Sequence, residues 1–340
     1  MIRIYNSSKF NTAPKATYNK VVKRFGIFDG TGHDLVDCNT YDEALINGDL
    51  DYGAEKQQMF LADGTLINDH YAMVKSDNHN IVLGVVGNQY ETVGNREAFS
   101  IAEELVNEGV ARYELGGPSY GAKSTLDYAK SFLVLRSDDF EICDEEYNTF
   151  INFTNSFDGS TGIQYQVICQ RLVCLNGMIR YLGSKKDQLK INIQHSKTAM
   201  DRIKIAQEII RKRLEDVSMI QREAQAFIGT KMSKKDFKEK IVPLIIGKMG
   251  LVEKDKDRQR GQERIEKTVM QLMSCYNADD TQNYNDTAYK VILALSDFES
   301  HAEPLRNTGN RSVYLNRISK GMLLTTAAAQ YMQNMYGIQI

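Results

Sequence analysis

Tryptophan is absent from this 340-residue chain, and proline occurs only 4 times. No apolar run approaches the ~18 residues that a membrane-spanning helix needs, so a helical membrane span is excluded. The first residues, MIRIYNSSKFNTAPK, lack the apolar centre of a secretion signal, and a cytoplasmic location is expected. The 5 cysteines are scattered, and the only close pair, Cys169 and Cys174, has a spacing that zinc ribbons do not use. Free thiols in a reducing compartment are expected. The 5 histidines form no HxxxH or HxH pair, which argues against a histidine metal site. No metal and no cofactor is expected.

What is present is an ordinary globular composition with strongly segregated charge. The chain is 42% hydrophobic and 25% charged, with a net charge of −2. Residues 1–26 carry 6 basic and 0 acidic side chains, whereas residues 27–150 carry 7 and 24. Residues 151–195 carry 5 and 2, and residues 196–271 carry 19 and 12. Segregation of this kind points to a polyanion partner or to assembly between unlike surfaces.

The periodicities predict an α+β protein in three parts. Residues 1–75 read as a basic arm followed by an acidic region, with a hairpin turn at Asp63-Gly64. Residues 76–195 read as an antiparallel core with crossing helices. In it, Ile81–Val86 and Gln89–Val93 look like strands around Gly87-Asn88. Asn95 is placed to cap a helix carrying Ala98, Phe99, Ala102, Leu105 and Val106, which Gly109 stops. Ala111–Leu115 and Ser124–Leu135 look like strands around a Gly116–Gly121 loop. Thr149–Thr154 and Ile163–Gln170 look like a hairpin around SFDGST. On the last strand Ile163, Tyr165, Val167 and Cys169 alternate with Gln164, Gln166 and Gln170, which predicts one packed face and one wet face. Arg171–Leu182 is expected to leave as a helix. Residues 196–340 read as a helical domain. Its apolar stripe runs from Ile203 to Phe227, Ser233 and Asp236 form a capping box, and Pro243 breaks a helix.

Candidate chemistry is sparse. GGPSYGAKS resembles a phosphate loop, but the spacing requires lysine at 122, which is alanine. Asp158-Gly159 reads as a turn, with a metal-dependent hydrolase or nuclease built on Asp158 as a distant alternative. No nucleophile has a local histidine signature, so an enzyme is not expected. The mixture of cations and flat rings suits single-stranded nucleic acid better. Arg171, Arg180, Lys185 and Lys186 are expected to neutralise phosphates, and Lys123 to reach from a hairpin tip. Tyr165 and Tyr181 are expected to stack bases or support the groove wall. Gln164 and Gln166 are expected to hydrogen-bond the strand from the wet sheet face. Lys197, Arg202 and Lys204 continue the basic stretch.

The segments LGVVGNQYETVGNREAF, YELGG, TNSFDGS, VICQ, His195-Ser196 and NDTAYKVILALSDFESH resemble the phage and plasmid-like family known as domain of unknown function 932. The resemblance covers roughly 80–335. Phe157 stands where that family usually has histidine, and Arg171-Leu172 stands where it usually has an Asn-Thr pair. The order of hairpin, helix, antiparallel strands and helix is also similar to phage single-strand annealing proteins of the RecT and Redβ type. That likeness implies a ring or filament of identical subunits on single-stranded DNA in a bacterial host cell. The leading expectation is therefore an oligomeric single-stranded DNA-binding protein, used in annealing or recombination. The rival expectation is a phage structural or assembly protein that binds no nucleic acid.

Overall fold

The computed structural model describes residues 32–119, 126–137, 139–142, 145–171, 177–179, 190–214, 217–251, 258–299 and 323–338. The fold is α+β, and every strand pairing among the described residues is antiparallel. A small meander holds β2 (Ala54–Phe60), β3 (Leu66–Lys75) and β4 (Asn78–Gly87) in the order β2-β3-β4. The large sheet runs β1 (His33–Asp34), β5 (Ala111–Pro118), β6 (Lys130–Ser137), β8 (Glu145–Ser156), β9 (Ile163–Arg171) and β10 (Gly177–Ile179). Short β7 (Phe140–Ile142) adds to β8, and β11 (Lys190–Ile193) adds to β9.

Helices cover both faces of the large sheet. On one face α1 (Tyr41–Asn47), α2 (Asn95–Ala98), α3 (Ser100–Asn107) and α4 (Ala199–Leu214) bury Leu45, Phe99, Leu105 and Ile203 against Leu133, Ile151, Phe153 and Tyr165. On the other face lie α5 (Val217–Gly229), α6 (Val242–Lys248), α7 (Arg258–Tyr276), α8 (Ala288–Asp297) and α9 (Leu323–Tyr336). They share a second core with Leu115, Phe132, Val134 and Phe150. Tyr147 and Tyr289 join this helical layer to the strands through hydroxyls 2.7 Å apart. The start of α9 is held by buried Glu299, which accepts from the backbone N–H groups of Leu324 and Thr325, each at 2.8 Å. A carboxylate there satisfies the open donors of a helix N-terminus.

The two sheets meet at the β8–β9 turn. Phe157 is fully buried among Tyr52, Met73, Leu83 and Val86, with its ring 5.6 Å from that of Tyr52. Gly84 allows this approach, since a Cβ there would lie 2.5 Å from Cα of Asp158. Gly159 turns the chain at φ +70°. SFDGST is therefore both the expected hairpin turn and a wedge between sheets.

Several expected elements hold. Asp63-Gly64 turns the β2–β3 hairpin, with Thr65 N–H donating to Asp63 Oδ1 at 2.9 Å and Gly64 at φ +86°. Ser233 and Asp236 form the capping box, and Pro243 follows a π-helical turn at Phe237–Ile241. Others need correction. The β4 hairpin partner is β3, joined at Ser76-Asp77, and Gln89–Val93 is not a strand. The reason is Tyr90, whose hydroxyl donates to the Ser156 carbonyl at 2.7 Å and fixes that segment as a strap across the wedge. Gly94, not Asn95, occupies the cap position of α2, because the Asn95 amide is turned inward. Gly116–Pro118 belong to β5, opposite Leu133, Phe132 and Ser131, and are not loop. A side chain at Gly116 would press on Leu35 and Leu50 at 3.0 Å, so the strand needs glycine there to admit the N-terminal layer. Arg171 ends β9, and 177–179 form β10, which removes the expected helix over those residues. Packing also crosses the expected boundaries at 75 and 195: β3 pairs with β4, and α4 buries Ile203, Ala206 and Ile210 in the core of the sheet domain.

Candidate nucleic-acid interface

Alternation along β8 and β9 sorts their side chains onto two unlike faces. The register sets Phe132 opposite Thr154 and Thr154 opposite Gln164, and then Gln164 opposite Asn192. The neighbouring row sets Val134 opposite Asn152, Asn152 opposite Gln166, and Gln166 opposite Lys190. Directly opposed residues share a face. Asn152, Thr154, Gln164 and Gln166 thus form a two-by-two patch of neutral polar side chains. Spacings are about 5 Å across the strands and about 7 Å along them.

This patch is buried, not wet as expected. Gln164 and Gln166 are each 5% exposed, Thr154 4% and Asn152 0%. Gln164 Oε1, Gln166 Oε1 and Thr154 Oγ1 have no hydrogen-bond partner among the described residues. A buried polar atom left this way costs about 1–3 kcal/mol, so three on one face call for a physical reason.

On the opposite face of the same strands Thr149 Oγ1 is likewise buried without a partner among the described residues, but the larger polar groups are paired. Tyr165 is 0% exposed, its ring lies 5.3 Å from Phe153, and its hydroxyl donates to the Ala98 carbonyl at 2.7 Å. It serves the core and presents no ring to a base, which corrects its expected stacking role. Nearby, Asn155 donates to the Val93 carbonyl at 3.0 Å and to Asn95 Oδ1 at 3.1 Å. Ser131 donates to the same Oδ1 at 2.6 Å, and Asn95 donates to the Leu50 carbonyl at 3.0 Å. These amides weld β6, β8, α2 and the N-terminal layer together.

His195 closes the far corner. It stacks on Tyr90 with ring centroids 4.6 Å apart, and its Nδ1 lies 3.2 Å from the Glu91 carbonyl. Nε2 is buried without a partner among the described residues. Burial lowers the imidazole pKa from 6.5 to about 4, although the Glu91 carbonyl and nearby Asp158 pull the other way. The ring is therefore neutral at physiological pH. Asp158 itself serves the turn: its Oδ1 accepts from the Ser156 hydroxyl at 2.5 Å and from Ser160 N–H at 2.9 Å. Among the described residues no three His, Cys, Asp or Glu side chains gather as a metal site, and no helix is long and apolar enough to cross a membrane.

Of the expected cations, Arg171 sits at the end of β9 opposite Tyr147 in register. Lys123, Arg180, Lys185 and Lys186, together with Tyr181, lie outside the described residues. Cations that are described stand at the start of α4: Lys197, Arg202 and Lys204 are exposed, and none is paired with a carboxylate among the described residues. They stand at the start of the helix that packs on the Tyr165 face, whereas the amide patch shares its face with Phe132 and Val134 under the C-terminal helices. Asn152 and Thr154 are the site residues that sequence reasoning passed over. Their signal was legible: β8 alternates polar and apolar residues just as β9 does.

Comparison with known proteins finds one family. The model for Domain of unknown function (DUF932) matches residues 82–319. No curated protein and no solved structure matches the chain.

Proposed function

The chain belongs to the Domain of unknown function (DUF932) family, and from that premise we propose that it is an oligomeric single-stranded DNA-binding protein of phage type, serving strand annealing or recombination. One observation carries the reading: exposed Lys197, Arg202 and Lys204, with no carboxylate partner among the described residues, stand beside β11, whose register partner β9 bears Gln164 and Gln166. Exposed cations without carboxylate partners suit a polymer that carries charge on its backbone. The net positive charge of 151–195 and 196–271 supports the same reading. Ring or filament assembly follows from the likeness to annealing proteins and from the contrast between the basic arm and the acidic region.

The test is a fluorescence anisotropy titration with single-stranded and duplex oligonucleotides at several salt concentrations. Replacing Lys197, Arg202 and Lys204 together by glutamine should lower the slope of log affinity against log salt by about 2. Arg171→Ala with Lys185→Ala should flatten it further. An unaltered slope in both variants rejects the site.

A second reading, assembly without nucleic acid, has its own observation. The tip of the β2–β3 hairpin exposes Phe60, Leu61 and Leu66, at 58%, 54% and 41%. Three clustered apolar side chains at a protruding tip suit protein contact. Size-exclusion chromatography with and without oligonucleotide separates the readings, because assembly that ignores DNA favours the second.

A further inference from the structure

We propose that the outer edge of β2 pairs antiparallel with β2 of a second copy of this chain, so that the apolar hairpin tip of each copy enters a cleft of the other. This rests on the assembly part of the reading above and names the surfaces that meet. β2 is the outermost strand of the small sheet, with β3 as its one strand neighbour among the described residues. The Gly53 carbonyl accepts from Ser76 N–H at 3.1 Å, and Leu61 N–H donates to the Thr65 carbonyl at 2.8 Å. Inward- and outward-turned residues alternate along an antiparallel strand. The odd-numbered residues therefore bond to β3, and Ala54, Lys56, Gln58 and Phe60 turn their N–H and C=O groups outward. Those groups have no backbone partner on that side among the described residues. The irregularity after Gln58 adds residues to β3 and not to β2, because Gln58 faces Tyr71 and Met59 faces Ile67. Such an edge is a template for another strand, and proteins usually guard it with a charge. Here both charges of the strand are drawn across the sheet. Lys56 Nζ donates to the Asn88 carbonyl at 3.1 Å and lies over the Tyr71 ring, and Glu55 lies 3.4 Å from His79 Nε2.

The strand itself says why the occupant is a second copy. Two identical strands pair about a two-fold axis, and each surface then meets its own counterpart. With the axis at Gln57, Lys56 of one copy faces Gln58 of the other, and Ala54 faces Phe60. Every outward-turned residue of both strands is then hydrogen-bonded, and no like charges are opposed. An axis at Lys56 would set two lysines face to face, which is destabilising. The favoured register lays the Phe60 ring, 58% exposed in the single chain, over the small side chain of Ala54. A cleft of about 830 Å³ opens at that end of the strand, between the start of β2, the strap and the start of α4, with Ala54, Val93 and Met200 among its walls. Tip and cleft occupy opposite ends of one strand, so antiparallel pairing carries the exposed Phe60, Leu61 and Leu66 of each copy to the cleft of the other. An aromatic side chain seated in a pocket is the usual anchor of such a contact. Glu91, Glu97 and Lys197 also line the cleft and are the charges that the tip must leave in water.

The experiment uses the full chain, with sedimentation velocity for its mass and a disulfide for its register. In the proposed register the two copies of Gln57 form a non-hydrogen-bonded pair with Cα atoms about 4.5 Å apart, within the span of a disulfide. Gln57→Cys should give a crosslinked dimer under mild oxidation, about tenfold more than Glu55→Cys, whose counterpart is Met59. The parent chain run beside them accounts for the native cysteines. Phe60→Asp, which puts a charge into the cleft, and Gln58→Pro, which removes an outward N–H that β3 does not use, should each weaken association by about tenfold or more. Both positions are exposed, so circular dichroism should match the parent. An associating chain that keeps its association in both variants, or crosslinks equally at 55 and 57, overturns this interface and leaves assembly standing. A chain that stays monomeric up to about 100 μM, where dimers of micromolar affinity are nearly complete, overturns the interface and the assembly reading together.

Discussion

The two faces of the β8–β9 hairpin are made from the same twenty or so residues of chain, yet they solve burial in opposite ways. Ile151, Phe153, Ile163 and Tyr165 point into a core where the one polar atom among their side chains, the Tyr165 hydroxyl, has a partner at 2.7 Å. Asn152, Thr154, Gln164 and Gln166 are buried nearly as deeply, and three of their polar atoms have no partner among the described residues. A fold selected for stability alone fills a buried face with apolar side chains, since that removes the desolvation cost. The contrast therefore predicts that the two faces contribute unequally to stability. Substitutions should tell the faces apart. The largest effect belongs to the apolar face. Tyr165→Ala should cost about 3–5 kcal/mol of unfolding free energy, as large-to-small changes in a packed core do. Urea denaturation measures it, and a loss under about 1 kcal/mol would make this face as dispensable as the other.

His195 sharpens the comparison because its unpaired Nε2 is also buried, at the corner where both faces end. Its folded pKa lies near 4 against the ordinary 6.5, with burial as the main cause. The unfolded chain therefore binds a proton at higher pH than the folded one. The contribution is fully present above pH 6.5 and is lost progressively as pH falls toward 4. The span corresponds to about 3 kcal/mol at roughly 1.36 kcal/mol per unit. His195→Phe should flatten that part of a stability–pH curve. A curve that keeps its slope in the variant assigns the loss to carboxylates instead.

Much of the architecture was legible in the sequence, and the failures have a common physical cause. Period-two alternation located β8 and β9 with their turn, because one packed face per strand is a local signal. The stripe Ile203, Ala206 and Ile210 located α4 for the same reason. Misreadings arose where a distant contact outranked local preference. Gly87-Asn88 looked like a hairpin turn, but Tyr90 is drawn to Ser156 and His195, 66 and 105 residues away. Asn95 looked like a helix cap, but its amide serves Leu50, Ser131 and Asn155. Gly116 and Gly117 looked like loop, but they are strand positions left small for Leu35 and for the backbone at Gly32. For the site, alternation correctly set the glutamines apart from the tyrosine. It could not say that the glutamine face is buried, because covering a face is a long-range event with no local signature.

The asparagine network gives the intermediate case, in which buried amides are put to use. Asn155→Ala removes a donor from the Val93 carbonyl, which stays buried, and one of the two donors to Asn95 Oδ1, which keeps the Ser131 hydroxyl. It should cost about 2 kcal/mol, the usual penalty for orphaning a satisfied polar group. Thermal denaturation at neutral pH measures it. A neutral result would mean that these amides, like the glutamines, do not support the fold.

Gln166→Leu should have the smallest effect on stability and is the most discriminating of the set. The side chain is 5% exposed, and its Oε1 has no partner among the described residues, so the change removes a desolvation penalty and no hydrogen bond at that atom. Leucine has a similar volume and can stay in place without opening a cavity. The expected outcome is unchanged or slightly raised stability, within about 1 kcal/mol of the parent. Tyr165, one position earlier on the same strand, should be several times more sensitive. Equal sensitivity at 165 and 166 would mean that the amide face contributes to folding just as the apolar one does.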